Sequence, residues 1–161
     1  MSGRYAAFAA VLFALASPAR AQDAATPLPQ TEDDVKAGRV LVEAIGLLKA
    51  KRTIEAMPLF EKVAADYEST HKDADVQYYS ARTLPETLLY AVDVANKGTT
   101  KASGVSANWG YAYYFKGYAL MELRRVPEAK PVLSRAVALS PQNSQFLSEL
   151  GYIQQLEKNW P

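Results

Sequence analysis

Two segments that lie far apart in this chain match each other position by position, and this internal repeat is the feature that most constrains the fold. The first is Glu55–Val63 (EAMPLFEKV) and the second is Glu128–Ala136 (EAKPVLSRA). In both segments Pro stands two residues after Glu-Ala, and two bulky apolar residues follow it. Proline is tolerated early in a helix, where it costs at most about one hydrogen bond. Each segment is therefore predicted to lie at the start of a helix.

Small residues precede both segments at one fixed distance. Ala44 lies twelve residues before Ala56, and Gly117 lies twelve residues before Ala129. Small side chains at facing positions let two antiparallel helices approach each other closely. The simplest fold with this pattern is a helical hairpin that recurs along the chain, so the fold is predicted to be all-α.

A third small residue extends the series. Gly151 follows Gly117 by 34 residues, which is the period of the tetratricopeptide repeat, with its pattern W-x2-L-G-x2-Y, A-x3-F and P. This chain has Y-x2-K-G-x2-L over 113–120, A-x3-L over 129–133 and the closing Pro141. The sequence resembles a tetratricopeptide repeat protein.

The resemblance covers part of the chain. A further unit opens with L-x2-L-G-x2-Q over 147–154, and residues 107–160 also resemble the helical repeats of small exported bacterial proteins with KGYAL, LSP and ELG segments. The match is closest over 108–160, looser over 35–67 and weakest over 68–107. It implies a short right-handed solenoid of helix hairpins.

Two positions depart from the tetratricopeptide pattern. Lys116 stands where the family has Leu, and Gln154 stands where it has an aromatic residue. Both changes fit a degenerate motif in which the small residues and the closing Pro carry the geometry.

The N-terminal residues have the features of a secretory signal peptide over 1–21. Arg4 gives a positive start, Tyr5–Ala16 is apolar, and Ala19-Arg20-Ala21 is a cleavage site of small residues. The apolar stretch is shorter than the ~20 residues of a membrane span. Residues 22–30 (QDAATPLPQ) are predicted to be a linker, and the mature protein is expected to be periplasmic or secreted, with no membrane span after cleavage.

The repeat domain is predicted to occupy 31–161, beginning at a capping box in Thr31–Asp34. Its units are about 35–68, an irregular unit 73–97, 107–141 and a half repeat 143–160. Gly98–Ser106 (GTTKASGVS) is predicted to be a polar loop, and Asp73–Arg82 to be either a short helix or an extended piece.

A helix is predicted to start at Thr83-Leu84-Pro85-Glu86 and to end near Asn96, before a stop at Lys97-Gly98. Its apolar residues form one face, which contains Leu88, Leu89, Val92 and Ala95.

Composition excludes several classes of function. The chain has no Cys, which excludes a disulfide scaffold, a Cys-type zinc site and a thiol nucleophile. The formal net charge is +1, and a nucleic-acid-binding protein normally carries a marked basic excess. We therefore expect no nucleic acid as a partner.

Catalysis finds little support in the sequence. Ser106, in Gly104–Asn108, lacks the second Gly of a nucleophile elbow, and a helix N-cap or a loop is the alternative role. His71 has no paired Ser or acid. His71, Asp73 and Asp75 alternate as metal ligands would, but the two acids also suit a helix start and Lys72 opposes a cation. Asn96–Lys101 lacks the glycines of a P-loop. We expect no enzyme, no metal and no cofactor.

The first helices of the last two units carry the candidate binding residues. If Gly117 and Tyr113 face the second helix of their hairpin, a neighbouring face is left for a concave groove, as the resemblance implies. The groove residues are predicted to be Tyr111, Tyr114, Tyr118, Met121, Gln145, Ser148, Tyr152 and Gln155. Tyr rings and amides of this kind resemble a peptide-binding surface. The alternative is that the rings fill the contact with the neighbouring unit.

These features predict a non-catalytic protein- or peptide-binding module of the cell envelope, a scaffold or an assembly factor. Recognition of a small molecule or glycan by the Tyr-lined groove is the alternative. Carboxylate clamping is not expected, because Tyr114 and Tyr118 replace the Lys and Asn of clamp-type repeats. The half repeat leaves Leu147, Leu150 and Trp160 without a covering helix, so an open edge is expected there unless Phe146 and Ile153 fold back as a cap. A second copy of the chain, a partner helix or further sequence would meet that edge.

Overall fold

The computed structural model describes residues 27–96 and 101–157, and over these residues the protein is mostly helical. None of the helices in this described part is long and apolar enough to cross a bilayer. The predicted signal peptide, residues 22–26 of the linker, the Lys97-Gly98 stop and the turn at 159–161 lie outside the described residues. The elements are, in chain order, α1 (Glu32–Lys49), α2 (Thr53–Thr70), β1 (Val76–Ala81), α3 (Leu84–Asn96), β2 (Lys101–Ser106), α4 (Ala107–Glu122), α5 (Val126–Leu139) and α6 (Ser144–Leu156).

The first helix begins as the sequence predicts. The Thr31 hydroxyl accepts a hydrogen bond from the Asp34 amide, and the Asp34 carboxylate accepts one from the Thr31 amide, which completes a capping box. The buried stripe of α1, which includes Leu41, Ala44 and Leu48, packs on α2.

The hairpins α1–α2 and α4–α5 turn in the same way. Lys51 and Arg124, which are equivalent positions 73 residues apart, both have φ of 62°, and each is followed by an Arg with φ near −95°. That Arg binds the Glu three residues later in both hairpins, with N···O distances of 2.6 Å. The repeat in the sequence is therefore also a repeat in backbone geometry.

Gly117 lies where α4 and α5 approach closely. A Cβ at this position would lie 2.5 Å from Leu133 Cγ of α5, so the contact requires glycine. Ala44, Ala56 and Ala129, the other small residues of the pattern, are fully buried. The close helix approach predicted from the small residues is confirmed.

The two hairpins pack directly on each other. Helix α2 packs along α4, and Phe60 stacks on Phe115 with ring centroids 5.9 Å apart. At one end Glu122 accepts hydrogen bonds from Lys51 Nζ and Thr53 Oγ1, each of 2.8 Å. The second hairpin thus neighbours the first in space although 36 residues separate α2 from α4.

The segment between the hairpins adds a small sheet to a fold that is otherwise helical, as predicted. Strands β1 and β2 form a two-stranded parallel sheet, with Val76 opposite Lys101 and Ala81 opposite Ser106, and α3 connects them. Within Asp73–Arg82 the residues Val76–Ala81 are extended, and Asp73 and Asp75 precede a strand and not a helix. Residues 101–106, predicted to be loop, form β2 because they pair with β1. The prediction missed this strand because its ladder partner is far away in the sequence.

Helix α3 has the predicted bounds, and the apolar face identified in its sequence is exposed. Leu88 is 67% exposed, and Leu89, Val92 and Ala95 are exposed as well. The helix packs on the sheet through Tyr90, which stacks on Tyr79 at 4.9 Å between ring centroids. The contact of α3 with the sheet is therefore made by Tyr90, and not by the face that contains Leu88 and Leu89.

Helix α6 follows α5 and folds back on the second hairpin. Phe146 and Ile153 are buried against the α4–α5 core, whereas Leu147 and Leu156 stay exposed. Within the described residues, a Cβ at Gly151 would meet nothing within 4 Å. The half repeat thus caps one side of the hairpin and presents another to solvent.

Candidate functional site

An open cleft of about 620 Å³ lies between α1 and α4 and forms the candidate site. Its wall on α1 carries Val35, Val42 and Ile45, and its wall on α4 carries Tyr111 and Phe115. Val42 is 72% exposed, and Val35 beside it on the same wall is 40% exposed, so the wall presents a contiguous apolar patch. Arg39 and Asn108 supply polar groups at the cleft.

Helices α1 and α4, which belong to different hairpins, meet at one end of the cleft. Gly38 of α1 faces Asn108 of α4, and a Cβ on Gly38 would lie 3.6 Å from Asn108 Nδ2. The same Asn108 Nδ2 donates to the Asp34 carbonyl oxygen over 2.8 Å. This contact fixes one end of the cleft and leaves the apolar side chains beyond it uncovered.

The α4 wall is a rigid aromatic surface. Tyr111 stacks on Phe115 at 6.1 Å and meets Phe146 edge-on at 5.3 Å between ring centroids. Rings that hold one another in place lose little conformational entropy when a ligand covers them. Tyr111, one of the predicted groove residues, lines this cleft.

Tyr114 is a correction to the predicted groove. Its side chain is 4% exposed and stacks on Phe146 of α6 at 4.9 Å, and its hydroxyl accepts a hydrogen bond of 2.9 Å from Gln145 Nε2. Burial raises the pKa of the Tyr114 hydroxyl. The alternative role, filling the contact with the next unit, describes this ring, because Tyr114 lies on the side of α4 that meets α6.

The remaining predicted groove residues lie along the outer surface of α4 and α6. Tyr118 is 37% exposed, and Met121 is half-buried against the α4–α5 core. On α6, exposed side chains belong to Gln145, Ser148, Tyr152 and Gln155. They form a polar and aromatic continuation beyond Tyr111, whereas the cleft itself has its second wall on α1.

The sequence reasoning missed the α1 wall and Phe115. Val35 and Val42 are seven residues apart with Gly38 between them, which places all three on one face of α1. Phe115 follows Tyr111 by four residues and shares its face. The sequence therefore shows that these residues share a face on each helix. It does not show that α1 and α4 are neighbours, because residues 73–97 were predicted to form a repeat between them.

Tyr113, which the repeat register places in the buried stripe, is only half-buried, between α5 and α2. The guanidinium of Arg135, on the second helix α5, lies 6.0 Å from the Tyr113 ring centroid. The Tyr113 hydroxyl donates to Glu68 of α2. Burial, followed by this hydrogen bond, raises the pKa of Tyr113 to about 12.

A second cleft, of about 770 Å³, lies between the first hairpin and the end of β2. Its floor contains Asp34, which accepts hydrogen bonds from Thr31 and, over 2.5 Å, from the Tyr67 hydroxyl. Burial alone would raise the pKa of Asp34, but the hydrogen bonds from Tyr67 and Thr31 outweigh it, and the pKa lies below the ordinary 3.8. Burial and the bond to this carboxylate raise the pKa of Tyr67 to about 12.

Ser106 and His71 border the second cleft without forming a catalytic pair. Ser106 is the N-cap of α4 and accepts a hydrogen bond from the Asn108 amide. His71 Nδ1 lies 2.8 Å from the Tyr67 carbonyl oxygen and 2.9 Å from Thr70 Oγ1. The imidazole is therefore bonded to its own helix end and not to Ser106.

The predicted metal-like series does not converge in space. Asp73 Oδ1 accepts a hydrogen bond from the Asp75 amide in the turn before β1, and both carboxylates are exposed. Over residues 27–96 and 101–157, no three His, Asp or Glu side chains come together as metal ligands would.

Comparison of the chain with known proteins finds no matching family model, no matching curated protein and no matching solved structure.

Proposed function

We propose that this protein is a non-catalytic binding module of the tetratricopeptide type that holds a segment of a partner protein in the cleft between α1 and α4. The observation that carries the proposal is the uncovered apolar surface of Val35, Val42 and Ile45 opposite the stacked rings of Tyr111 and Phe115. Surfaces of rigid aromatic rings beside exposed aliphatic side chains are typical of protein–protein contacts.

The repeated hairpin supports the tetratricopeptide type. Two hairpins with the same turn, the same Arg–Glu pair and the same small residues at the helix contact stack side by side. In a solenoid of such hairpins, the first helices of successive hairpins line one concave surface. Here α1 and α4 are those first helices, and their exposed side chains form the cleft.

The shape of the cleft favours a partner protein over a small molecule. Pockets for small ligands enclose most of the ligand surface, whereas this cleft is open along α1, with Val42 well exposed. The surface also continues past Tyr111 to exposed side chains of α4 and α6, such as Tyr118 and Tyr152. An extended or helical peptide segment can cover such a surface.

The proposed setting is the cell envelope, as a periplasmic or secreted scaffold or assembly factor. The basis is the N-terminal pattern, a positive start and an apolar stretch followed by Ala19-Arg20-Ala21. Cleavage after Ala21 would leave Gln22 at the new N-terminus. Mass spectrometry of the exported protein checks this, and a full-length chain starting at Met1 in the envelope extract would contradict it.

The chain offers a matched pair of variants for testing the cleft. Val42 and Ile54 are both β-branched, helical and highly exposed, at 72% and 75%, but only Val42 lines the cleft. The purified protein, Val42→Glu and Ile54→Glu are each used to capture proteins from envelope extract. The affinity for the captured partner is then measured for all three by titration calorimetry.

Val42→Glu is expected to weaken the partner at least about tenfold, because a carboxylate replaces an apolar contact at the centre of the cleft. Ile54→Glu is expected to bind like the unmodified protein, and both variants are expected to keep the native circular dichroism. Equal binding by Val42→Glu and the unmodified protein would contradict the proposed function, as would equal losses in both variants.

A further inference from the structure

Strand β2 has an unpaired outer edge beside the second cleft. The Lys101 amide donates to the Asp75 carbonyl oxygen over 3.3 Å, and Lys101 is the ladder partner of Val76. Because hydrogen-bonding direction alternates along a strand, Lys101, Ser103 and Val105 direct their backbone groups towards β1. Ala102 and Gly104 direct theirs to the opposite side.

The backbone groups on that side lack partners within the described part of the chain. Neither Ala102 nor Gly104 makes a backbone hydrogen bond beyond the β1–β2 sheet there, and no described side chain bonds to them. Unpaired donors and acceptors in an extended row are a template for another strand. By contrast, the backbone just after β1 has a partner. The Arg82 carbonyl oxygen accepts a hydrogen bond of 3.5 Å from the Leu28 amide.

The second cleft has room for a strand at this edge. Gly104, Val105 and Ser106 of β2 border its volume of about 770 Å³, and α1 and α2 form the opposite wall. Val40 supplies a partly exposed apolar side chain on that wall, whereas Ala37 and Val63 are buried in the core. A strand laid against β2 would place alternate side chains against this wall.

The charged side chains Lys36, Lys62 and Asp34 at the cleft already have partners within the protein, which indicates the chemistry of the occupant. Lys62 binds Asp66 with an N···O distance of 2.6 Å, and Lys36 binds Asp33 at 3.4 Å. The remaining carboxylate, Asp34, already accepts three hydrogen bonds from Thr31 and Tyr67. An uncharged segment with small apolar side chains therefore fits this cleft better than a charged one.

We propose that the outer edge of β2 binds an extended, uncharged segment of a partner protein by β-strand addition. The backbone of that segment exchanges hydrogen bonds with Ala102 and Gly104, and its side chains contact the partly exposed Val40. This site is separate from the α1–α4 cleft and stands on its own observations. Main-chain bonds give such a site its affinity, and the side-chain contacts give it selectivity.

The first experiment measures amide hydrogen exchange in the free protein by nuclear magnetic resonance. The Ala102 and Gly104 amides are expected to exchange at least about tenfold faster than those of Ser103 and Val105, because only the latter pair bond within the sheet. Comparable protection of all four amides would show that the edge is already covered and would overturn the proposal. Protection of Ala102 and Gly104 that grows with protein concentration would assign the edge to a second copy, and would also overturn it.

The second experiment uses a displayed library of ten-residue peptides to select binders, which are then synthesised with N-methyl groups at every other residue. One alternation removes the amides that face β2, and the other leaves them in place. The first is expected to weaken binding by about tenfold or more, and the second to change it little. The bound peptide is expected to slow exchange at Ala102 and Gly104.

Ala102→Pro removes an outward donor without removing a ladder bond, as proline at a sheet edge can. It is expected to weaken the selected peptides, whereas Val42→Glu in the other cleft leaves them bound. If Ala102→Pro does not fold, the N-methyl series on the unmodified protein decides. Failure to select any peptide, peptides that protect only the α1–α4 cleft, or equal effects of the two N-methyl alternations would each overturn the proposal.

Discussion

The two hairpins and the segment between them bury their apolar residues in different ways. The hairpins repeat one turn and one close helix contact 73 residues apart, and their contact residues such as Phe60 and Leu133 are fully buried. The β1–α3–β2 segment has no counterpart elsewhere in the described chain and is held by a parallel ladder between residues about 25 positions apart.

The two hairpins define the first cleft, whereas the inserted β1–α3–β2 segment has surfaces and a strand edge that are not covered. The hairpins bury small and aromatic residues at every contact, which fixes the positions of α1 and α4 around the first cleft. The inserted segment leaves Leu88 and Val92 exposed on α3 and leaves the outer side of β2 unpaired. A short two-stranded sheet gains its stability from what it packs against.

The largest effect is expected at the hairpin contact. Gly117→Leu would drive a side chain into Leu133 of α5 and is expected to lower the free energy of unfolding by about 3 kcal/mol. Urea melts measure it, with Gly151→Leu as the control, because nothing in the described residues lies within 4 Å of a Cβ there. Similar decreases in the free energy of unfolding for both variants would contradict the assignment of Gly117 to the close contact between α4 and α5.

Tyr67→Phe is expected to cost about 2 kcal/mol at pH 7, since it removes a hydrogen bond to a buried, ionised carboxylate. The pKa of Asp34 is lower in the folded state, so its stabilisation is present above the ordinary value of 3.8 and is lost as the pH falls through the lowered pKa. The gap between Tyr67→Phe and the unmodified protein should therefore shrink below about pH 4. Denaturant melts at pH 7 and pH 3 measure this change, and a gap that widens in acid would contradict it.

A smaller effect is expected in the inserted segment. Gly104→Ala places a Cβ 2.4 Å from Thr87 Cγ2 of α3, and the exposed helix can yield, so the loss is expected to be about 1 kcal/mol. Hydrogen exchange should show it in α3 and β2 and not in α2 or α4. Gly46→Ala is the control, because it is unobstructed in α1 and should stabilise slightly. Faster exchange spread evenly over both hairpins would show that the segment is not separable from them.

The smallest effect is expected on the exposed face of α3. Leu88→Gln should change the free energy of unfolding by less than about 0.5 kcal/mol, because a side chain that is 67% exposed has little packing to lose. Thermal melts beside Leu133→Ala, a fully buried position, give the scale, for which about 2–5 kcal/mol is expected. A large loss from Leu88→Gln would place α3 inside the stack and remove the contrast between the two regions.

Local signals in the sequence predicted the hairpins. The capping box at Thr31, the glycine contact at Gly117 and the start of α3 after Thr83 each depend on residues within a few positions or on one helix pair. Strand β2 could not be predicted in this way. Its residues KASGVS have little strand preference, and their conformation depends on a ladder partner that begins at Val76.

The sequence predicted the α4 side of the candidate site and not its α1 side, because it shows local spacing but not which helices are neighbours. Tyr111 and Tyr118 follow from the helical period of α4, but the burial of Tyr114 depends on the position of Phe146 in α6. The α1 wall required knowing that the two hairpins are neighbours. A length of 73 residues suggested one slightly long unit between them, whereas a β–α–β connection spans the same length outside the stack.

The central claim is that the two hairpins stack directly across the inserted segment and so form the α1–α4 cleft. Nuclear Overhauser contacts between side chains test it most directly. The account predicts contacts between the rings of Phe60 and Phe115 and between those of Tyr67 and Trp109, whose centroids lie 5.9 Å and 6.0 Å apart. The absence of both contacts, with Leu88 methyl groups instead contacting α2 and α4, would place α3 between the hairpins and contradict the account.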